Sequence, residues 1–160
     1  MQSERVFQDN DGRGGRRGKN ACRVNAEIKW PNDIFFGGKK ICGILIENVI
    51  GGDEITRSII GIGVNVNNDL APEIKDIATS VKQITGNSAN IDAFYATLAY
   101  NLYEEYSMEE YISYCKFLGK EITVIKGDKS YRAVAESVLS DGNLKLKSGE
   151  ILSAAEITIR

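Results

Sequence analysis

Histidine is missing from this 160-residue chain altogether. Its absence excludes Ser-His and Cys-His nucleophilic arrangements and imidazole general bases, and it argues against a structural zinc site. Cysteine is scarce: Cys22, Cys42 and Cys115 form an odd, scattered set without a C-x-x-C pair, which reads as reduced thiols. No apolar run is long enough to cross a bilayer, and Met-Gln-Ser-Glu-Arg does not open a signal peptide, so the sequence predicts a cytoplasmic protein with no membrane partner. An excess of one charge is lacking too. With 20 basic and 22 acidic residues the net charge is −2, which supplies no global pull toward nucleic acid. Chemistry must therefore rest on lysine, arginine, carboxylates, backbone amides or a bound cofactor.

What is present is ordinary in bulk. Hydrophobic residues make up 42% and charged residues 26%, as in a soluble globular protein of one domain, or one domain with a small appendage. Local bias is confined to Gly12–Arg23, where Arg13, Arg16, Arg17, Lys19 and Arg23 occur with no acidic residue.

Residues 1–25 are polar and Gly/Arg-rich and read as loop or disorder. From Glu27 to about Val66 the signals are β. Ile34-Phe35-Phe36, Ile41 to Val49 and Ile55 to Val66 are rich in branched and aromatic residues, with turns at Gly37-Gly38 and Gly51-Gly52-Asp53. The two longer runs are nearly continuous in apolar character, which predicts strands covered on both faces.

Helical signals follow. Thr79-Ser80 leads into a short helix ending near Gly86. Asn90 caps a second, with Ile91, Phe94, Tyr95, Leu98, Ala99 and Leu102 on one face. Ser107-Met-Glu-Glu110 has the form of a capping box for a third, whose buried face would carry Met108, Tyr111, Ile112 and Cys115. Gly119-Lys120 reads as a junction. Beyond it Ile122–Lys126, Tyr131–Leu139, Leu144–Lys147 and Ile157–Ile159 are short strands separated by turns, a small all-β barrel that would lean on the first domain. The predicted fold class is α+β: a mixed or antiparallel sheet with helices packed on it over 1–118, then a small barrel over 119–160.

Three stretches could carry chemistry. In Gly12-Arg13-Gly14-Gly15-Arg16-Arg17-Gly18, glycines admit close backbone approach and guanidiniums make forked bonds to phosphate or carboxylate. A basic arm with affinity for RNA is the competing account, and the spacing is not that of a P-loop. In Lys29-Trp30-Pro31-Asn32-Asp33, Pro31 restricts the backbone around Lys29, while Asn32 and Asp33 are turn formers. A solvated lysine at a strand end is the plainer account. In Gly61-Ile62-Gly63-Val64-Asn65-Val66-Asn67-Asn68, the glycines suit close approach and the asparagines could bond a ribose, a base or the backbone.

Taken in order, Lys29-Trp-Pro-Asn-Asp-Ile34, Lys40-Ile-Cys-Gly-Ile-Leu-Ile-Glu47 and Gly61-Ile-Gly-Val-Asn-Val-Asn67 resemble the biotin protein ligase family, the biotin–[acetyl-CoA-carboxylase] ligases. Ala78–Gly86 looks like the family's next segment, the last 40 residues like its SH3-like C-terminal domain, and Gly12–Gly18 like its Gly/Arg ligand loop with an extra glycine.

The resemblance implies an enzyme that uses ATP with Mg2+ to convert biotin to biotinyl-5′-AMP, then transfers biotin to a lysine of a biotin carboxyl carrier protein or domain. It implies catalytic roles for Lys29, which would contact biotin and the activated carboxyl–phosphate linkage, and for Arg13. Gly12, Arg13, Gly14, Arg16 and Arg17 would form the loop over the adenylate. Gln8, one residue upstream of its place in the family pattern, would contact biotin. Asn32, Gly43, Ile44, Gly63 and Asn65 would line the biotin and adenylate sites. An exposed strand edge would pair with the carrier domain or with a second copy of the chain.

The family places several dozen residues between the Gly/Arg loop and the Lys-Trp-Pro-Asn-Asp turn, where Gly18 and Lys29 are eleven positions apart here, and its T-D-S-T-N segment is absent. A domain shortened in its N-terminal part is thus expected, with no DNA-binding extension. The alternatives are a catalytically impaired biotin- or adenylate-binding module, and a lipoate- or octanoate-handling transferase of the same superfamily.

Overall fold

The structure is a computed structural model that describes residues 25–154 and 158–159. Four strands open it: β1 (Glu27–Lys29), β2 (Asp33–Phe36), β3 (Lys39–Gly51) and β4 (Glu54–Val64) form an antiparallel sheet in that order. The Gly37-Gly38 and Gly52-Asp53 turns fall where the sequence puts them. The turn before β2 is shorter than expected, since Asp33 is already a strand residue paired with Lys29.

Register sets the two faces. One cross-strand row is Ile28–Ile34–Cys42–Val64; the next is Lys29–Asp33–Gly43–Gly63. Adjacent rows point to opposite faces, so the first row enters the core and the second faces away from it. A β-bulge interrupts the alternation: Ile34 pairs with Cys42 but Phe35 pairs with Lys40, leaving Ile41 as the extra residue. That is why Ile41 and Cys42, neighbours in the chain, are both buried, and why Lys40 shares a face with Gly43.

Three helices follow: α1 (Val81–Thr85), α2 (Ile91–Asn101) and α3 (Met108–Tyr114), preceded by a 3-10 turn at Pro72–Ile74 that the sequence does not announce. Each cap is a side chain identified from the sequence. Ser80, Asn90 and Ser107 accept from the backbone N–H groups of Gln83, Ala93 and Glu110. Gly86 ends α1 in the left-handed region, φ 72°, which costs a glycine little, and its N–H bonds the Lys82 carbonyl. The first core joins Ile28, Ile34, Ile41 and Cys42 to Val66, Val81 and Cys115.

Two expectations need correction here. The far halves of β3 and β4 are not covered on both faces: Leu45, Ile46, Ile50, Ile55, Ile59 and Ile60 are all more than half exposed. Helices α1–α3 reach only the near half of the hairpin, so continuous apolar character did not report two-sided burial. Helix α2 likewise buries a narrower stripe than its periodicity predicts. Leu98 is buried and Phe94 and Leu102 are half-buried, whereas Ile91, Tyr95 and Ala99 are exposed. Phe94 alone of that stripe packs on the first core.

The last five strands are β5 (Glu121–Lys126), β6 (Lys129–Val138), β7 (Leu144–Leu146), β8 (Ile151–Leu152) and β9 (Thr158–Ile159). They make a second antiparallel sheet, ordered β8-β7-β6-β5-β9. The sequence missed β8, a two-residue strand. A second core gathers Ile122, Val124, Ala135, Val138, Leu144, Leu146 and Leu152 around Trp30, which comes from the turn after β1. Helix α3 lies between the cores, its Tyr111 touching both, so the second sheet leans on the first unit as expected. Among the described residues no helix is long and apolar enough to cross a membrane.

Candidate functional site

The groove face of the first sheet is bare where glycine falls. Gly43 and Gly63 lie in one row with Lys29 and Asp33; Gly61 pairs with Leu45 two positions on, on the same face. An added Cβ at Gly61 or Gly63 would meet only backbone oxygens at 3.8 and 3.9 Å, ordinary contact distances, so these glycines leave open space above the strands. The result is an open groove of about 530 Å³ lined by Asn32, Asp33, Lys40, Gly43, Ile44, Leu45, Gly61, Ile62 and Gly63.

Asn32 fixes the rim. Its carbonyl accepts the Ile44 N–H at 3.0 Å, and its side-chain amide donates to the Ile44 carbonyl. Both main-chain groups of Ile44 are thereby satisfied beyond the end of β2, which holds β3 in register at the groove. Across the floor, Lys40 Nζ reaches Asp33 Oδ1 at 2.5 Å.

Of the residues expected to form the site, Asn32, Gly43, Ile44 and Gly63 come together in this groove. Lys29 stands in the same cross-strand row, but its ammonium leans toward the start of β1 and lies 5.1 Å from the centre of the Phe35 ring, a cation–π contact. There it lines a smaller depression with Phe35, Lys116 and Lys120. Asn65 is placed beside the sheet by its backbone: its N–H donates to Ile41 and its carbonyl accepts from Val81. Asn67 bonds both main-chain groups of Ala89 through its side chain, at 2.9 Å each, so of the readings open to it the backbone one applies. Gln8, Gly12, Arg13, Gly14, Arg16 and Arg17 lie outside the described residues.

Asp33, Lys40, Leu45, Gly61 and Ile62 line the groove without having been assigned to the site from the sequence, although Gly61 and Ile62 open the Gly61–Asn68 stretch. Gly61 was accessible to alternation, standing two positions before Gly63. Lys40 was not, because strict alternation sends it to the face of Cys42, and only the bulge at Ile41 reverses that.

The electrostatics of the two faces differ. Burial pushes the Cys42 thiol up from 9.0 to about 11, against the downward pull of the nearby Lys40 ammonium and with a further upward push from Asp33. The core side of this sheet therefore holds an inert thiol, while the groove side carries the charges.

The model of the biotin/lipoate A/B protein ligase family matches residues 11–65, the segment that holds β1 to β4. The bifunctional ligase/repressor BirA of Bacillus subtilis is 51% identical over 69 residues, which is 41% of this chain and 21% of that protein. That of Escherichia coli is 25% identical over 150 residues, 83% of this chain and 46% of that one. The biotin protein ligase of Aquifex aeolicus, solved in complex with biotin and ATP, superposes with a TM-score of 0.67 at 28% identity, over 84% of this chain and 62% of that one. Over these segments the chain is similar to members of the biotin protein ligase family. It spans about a fifth to a half of the length of the curated family members it matches. Against the Aquifex ligase the two sheets and the few helices of this chain form a similar architecture.

Proposed function

We propose that the chain is the catalytic part of an ATP-dependent biotin protein ligase, forming biotinyl-5′-AMP and passing biotin to a lysine of a carrier domain. The observation that carries this reading is the row Lys29–Asp33–Gly43–Gly63. It puts a cation at one end of a row that ends on a bare glycine, Gly63, in a backbone similar to that of a ligase solved with biotin and ATP.

The first step brings a carboxylate against an α-phosphate, so two anions must be held together. That demands a positioned cation and oriented donors, not a covalent nucleophile, and a chain without histidine can meet the demand. In this reading the glycine floor takes the fused rings and chain of biotin beside Ile44. Lys29 swings from the Phe35 ring to the carboxyl–phosphate linkage. The loop with Gly12, Arg13, Gly14, Arg16 and Arg17 closes over the adenylate, with Gln8 on biotin and Asn65 on the nucleotide side.

Magnesium enters with the nucleotide as part of the substrate. Among the described residues no three carboxylates or thiols gather to hold an ion of their own. Residues 1–118 are read as the catalytic domain and 119–160 as an SH3-like C-terminal domain. The family description spans lipoate as well as biotin ligases, and the relatives named above are biotin ligases or ligase/repressors.

Biotin-dependent exchange of pyrophosphate into ATP on the purified, folded chain tests the reading. Exchange is expected from the wild type and not from Lys29→Ala. A folded wild-type chain with no exchange would sink the proposal.

A further inference from the structure

The Lys40–Asp33 ion pair lies inside the groove, not on the outer surface. Asp33 is the direct cross-strand neighbour of Lys29, with Cβ atoms of such pairs about 5 Å apart. A bare carboxylate there would cancel the positive charge that a carboxylate or phosphate ligand needs. Lys40 meets it at 2.5 Å.

Three separate features bring Lys40 to that place. The bulge at Ile41 turns Lys40 onto the groove face. Its backbone is held on the open side of β3, where its N–H donates to Ile77 and its carbonyl accepts from Thr79, both at 2.9 Å. Its side chain then crosses directly above Gly43: a Cβ at that position would sit 2.8 Å from Nζ and 2.9 Å from Cε. Any residue but glycine at 43 would displace the lysine. Stability does not account for the arrangement, since partly exposed ion pairs contribute little to folding, and the Lys40 side chain is 44% exposed.

We propose that Lys40 is a positioning residue for the ligand's anionic group, acting by neutralising Asp33, the cross-strand neighbour of Lys29, so that no bare carboxylate repels the ligand. This rests on the ligase reading. Asp33 in turn holds Lys40 down on the floor, leaving the space above Gly61 and Gly63 clear.

The test is the affinity of the full chain for biotinyl-5′-AMP, measured by titration calorimetry on folded wild type, Lys40→Gln, Lys40→Arg and the double variant Asp33→Asn/Lys40→Gln. Lys40→Gln should weaken binding about tenfold, the scale set by one unpaired carboxylate some 6 Å from a bound anion in a partly solvated groove. Lys40→Arg should bind as wild type does. The double variant should recover, because the carboxylate that needed neutralising is gone. Biotin methyl ester, which has no anionic group, should bind wild type and Lys40→Gln alike.

A double variant no better than Lys40→Gln would overturn the inference and make Lys40 a direct ligand contact instead. So would a Lys40→Gln protein that binds the adenylate as tightly as wild type. A wild type that binds no biotinyl-5′-AMP would remove the ligase reading first and this inference with it, so the two failures are told apart by the wild-type titration.

Discussion

The indole N–H of Trp30 donates a 2.9 Å hydrogen bond to the carbonyl of Gly142, 112 residues further along the chain. Trp30 follows Lys29 directly, and its side chain is 1% exposed within the core of the second sheet. Tyr111 adds a second tie, its hydroxyl donating to the Pro31 carbonyl at 3.0 Å. The turn that follows Lys29 is thus fastened to the C-terminal sheet and to α3, neither of which belongs to the groove.

Trp30→Ala should therefore cost about 3–5 kcal/mol, as for a large buried aromatic side chain cut back to a methyl group. Trp30→Phe keeps most of the apolar volume but leaves the Gly142 carbonyl without this donor, and should cost about 1–2 kcal/mol. Urea unfolding of the two variants checks both. A Trp30→Ala protein as stable as wild type would show that the second sheet does not brace this turn.

The glycine floor makes a different kind of prediction, in which binding and stability separate. Gly63→Val places a branched side chain, well suited to a strand, where the nearest atom to its Cβ is a backbone oxygen at 3.9 Å. The fold should tolerate it, with little change in thermal midpoint. The groove should not, and affinity for biotinyl-5′-AMP should fall roughly tenfold or more, the scale on which a pocket responds to a misplaced methyl group. Unchanged affinity with an unchanged fold would move the ligand off this face of the sheet.

Much of this arrangement was legible in the sequence where a local rule acts alone. The caps Ser80, Asn90 and Ser107, the stop at Gly86 and the hairpin glycines depend on a few neighbouring atoms, and each stands where the residue types put it. Features that depend on distant packing were not. Ile46 and Ile60, directly paired in the far half of the β3–β4 hairpin, are apolar but exposed, because burial depends on what else packs there and not on the strand's own composition. Lys40 was hidden for a third reason. A one-residue bulge inverts the side to which a residue points, and nothing in Lys40-Ile41-Cys42 marks it. Four of the expected site residues meet in the groove, while Lys29 is held aside on Phe35, a contact no spacing rule foretells.

Ser80 deserves a substitution of its own. It is fully buried, accepts the Gln83 N–H at 3.3 Å and donates to the Asn68 carbonyl at 3.1 Å. It therefore starts α1 and holds the chain that leaves β4, and Val81, next to it, is part of the first core. Ser80→Ala should cost about 1–2 kcal/mol, the upper range for a cap, because both bonds of a fully buried hydroxyl are lost together. A loss under about 0.5 kcal/mol would mean that α1 is held by Val81 and Ile84 alone.

Cys42 supplies a pH dependence with a definite sign. Burial raises its thiol from 9.0 to about 11 in the folded chain. Unfolding exposes the thiol and returns it to its ordinary value, so between about pH 9 and pH 11 the unfolded state has released a proton that the folded state retains. The unfolded state then binds fewer protons, and stability falls as pH rises. The contribution is fully present below pH 9 and is lost through the folded value near 11; two units correspond to about 3 kcal/mol. Lysines and tyrosines titrate in the same range, so the quantity to measure is the difference in urea-unfolding free energy between wild type and Cys42→Ala across pH 8 to 11. That difference should shrink steadily as pH rises, since only wild type has this thiol to ionise. Alkylation gives an independent check. At pH 8 a thiol near 11 is thiolate in about one molecule per thousand, so Cys42 should resist iodoacetamide in the folded chain and react once urea unfolds it. Rapid native-state labelling at Cys42, located by peptide mass, would place this thiol in solvent and overturn both the burial and the pH argument.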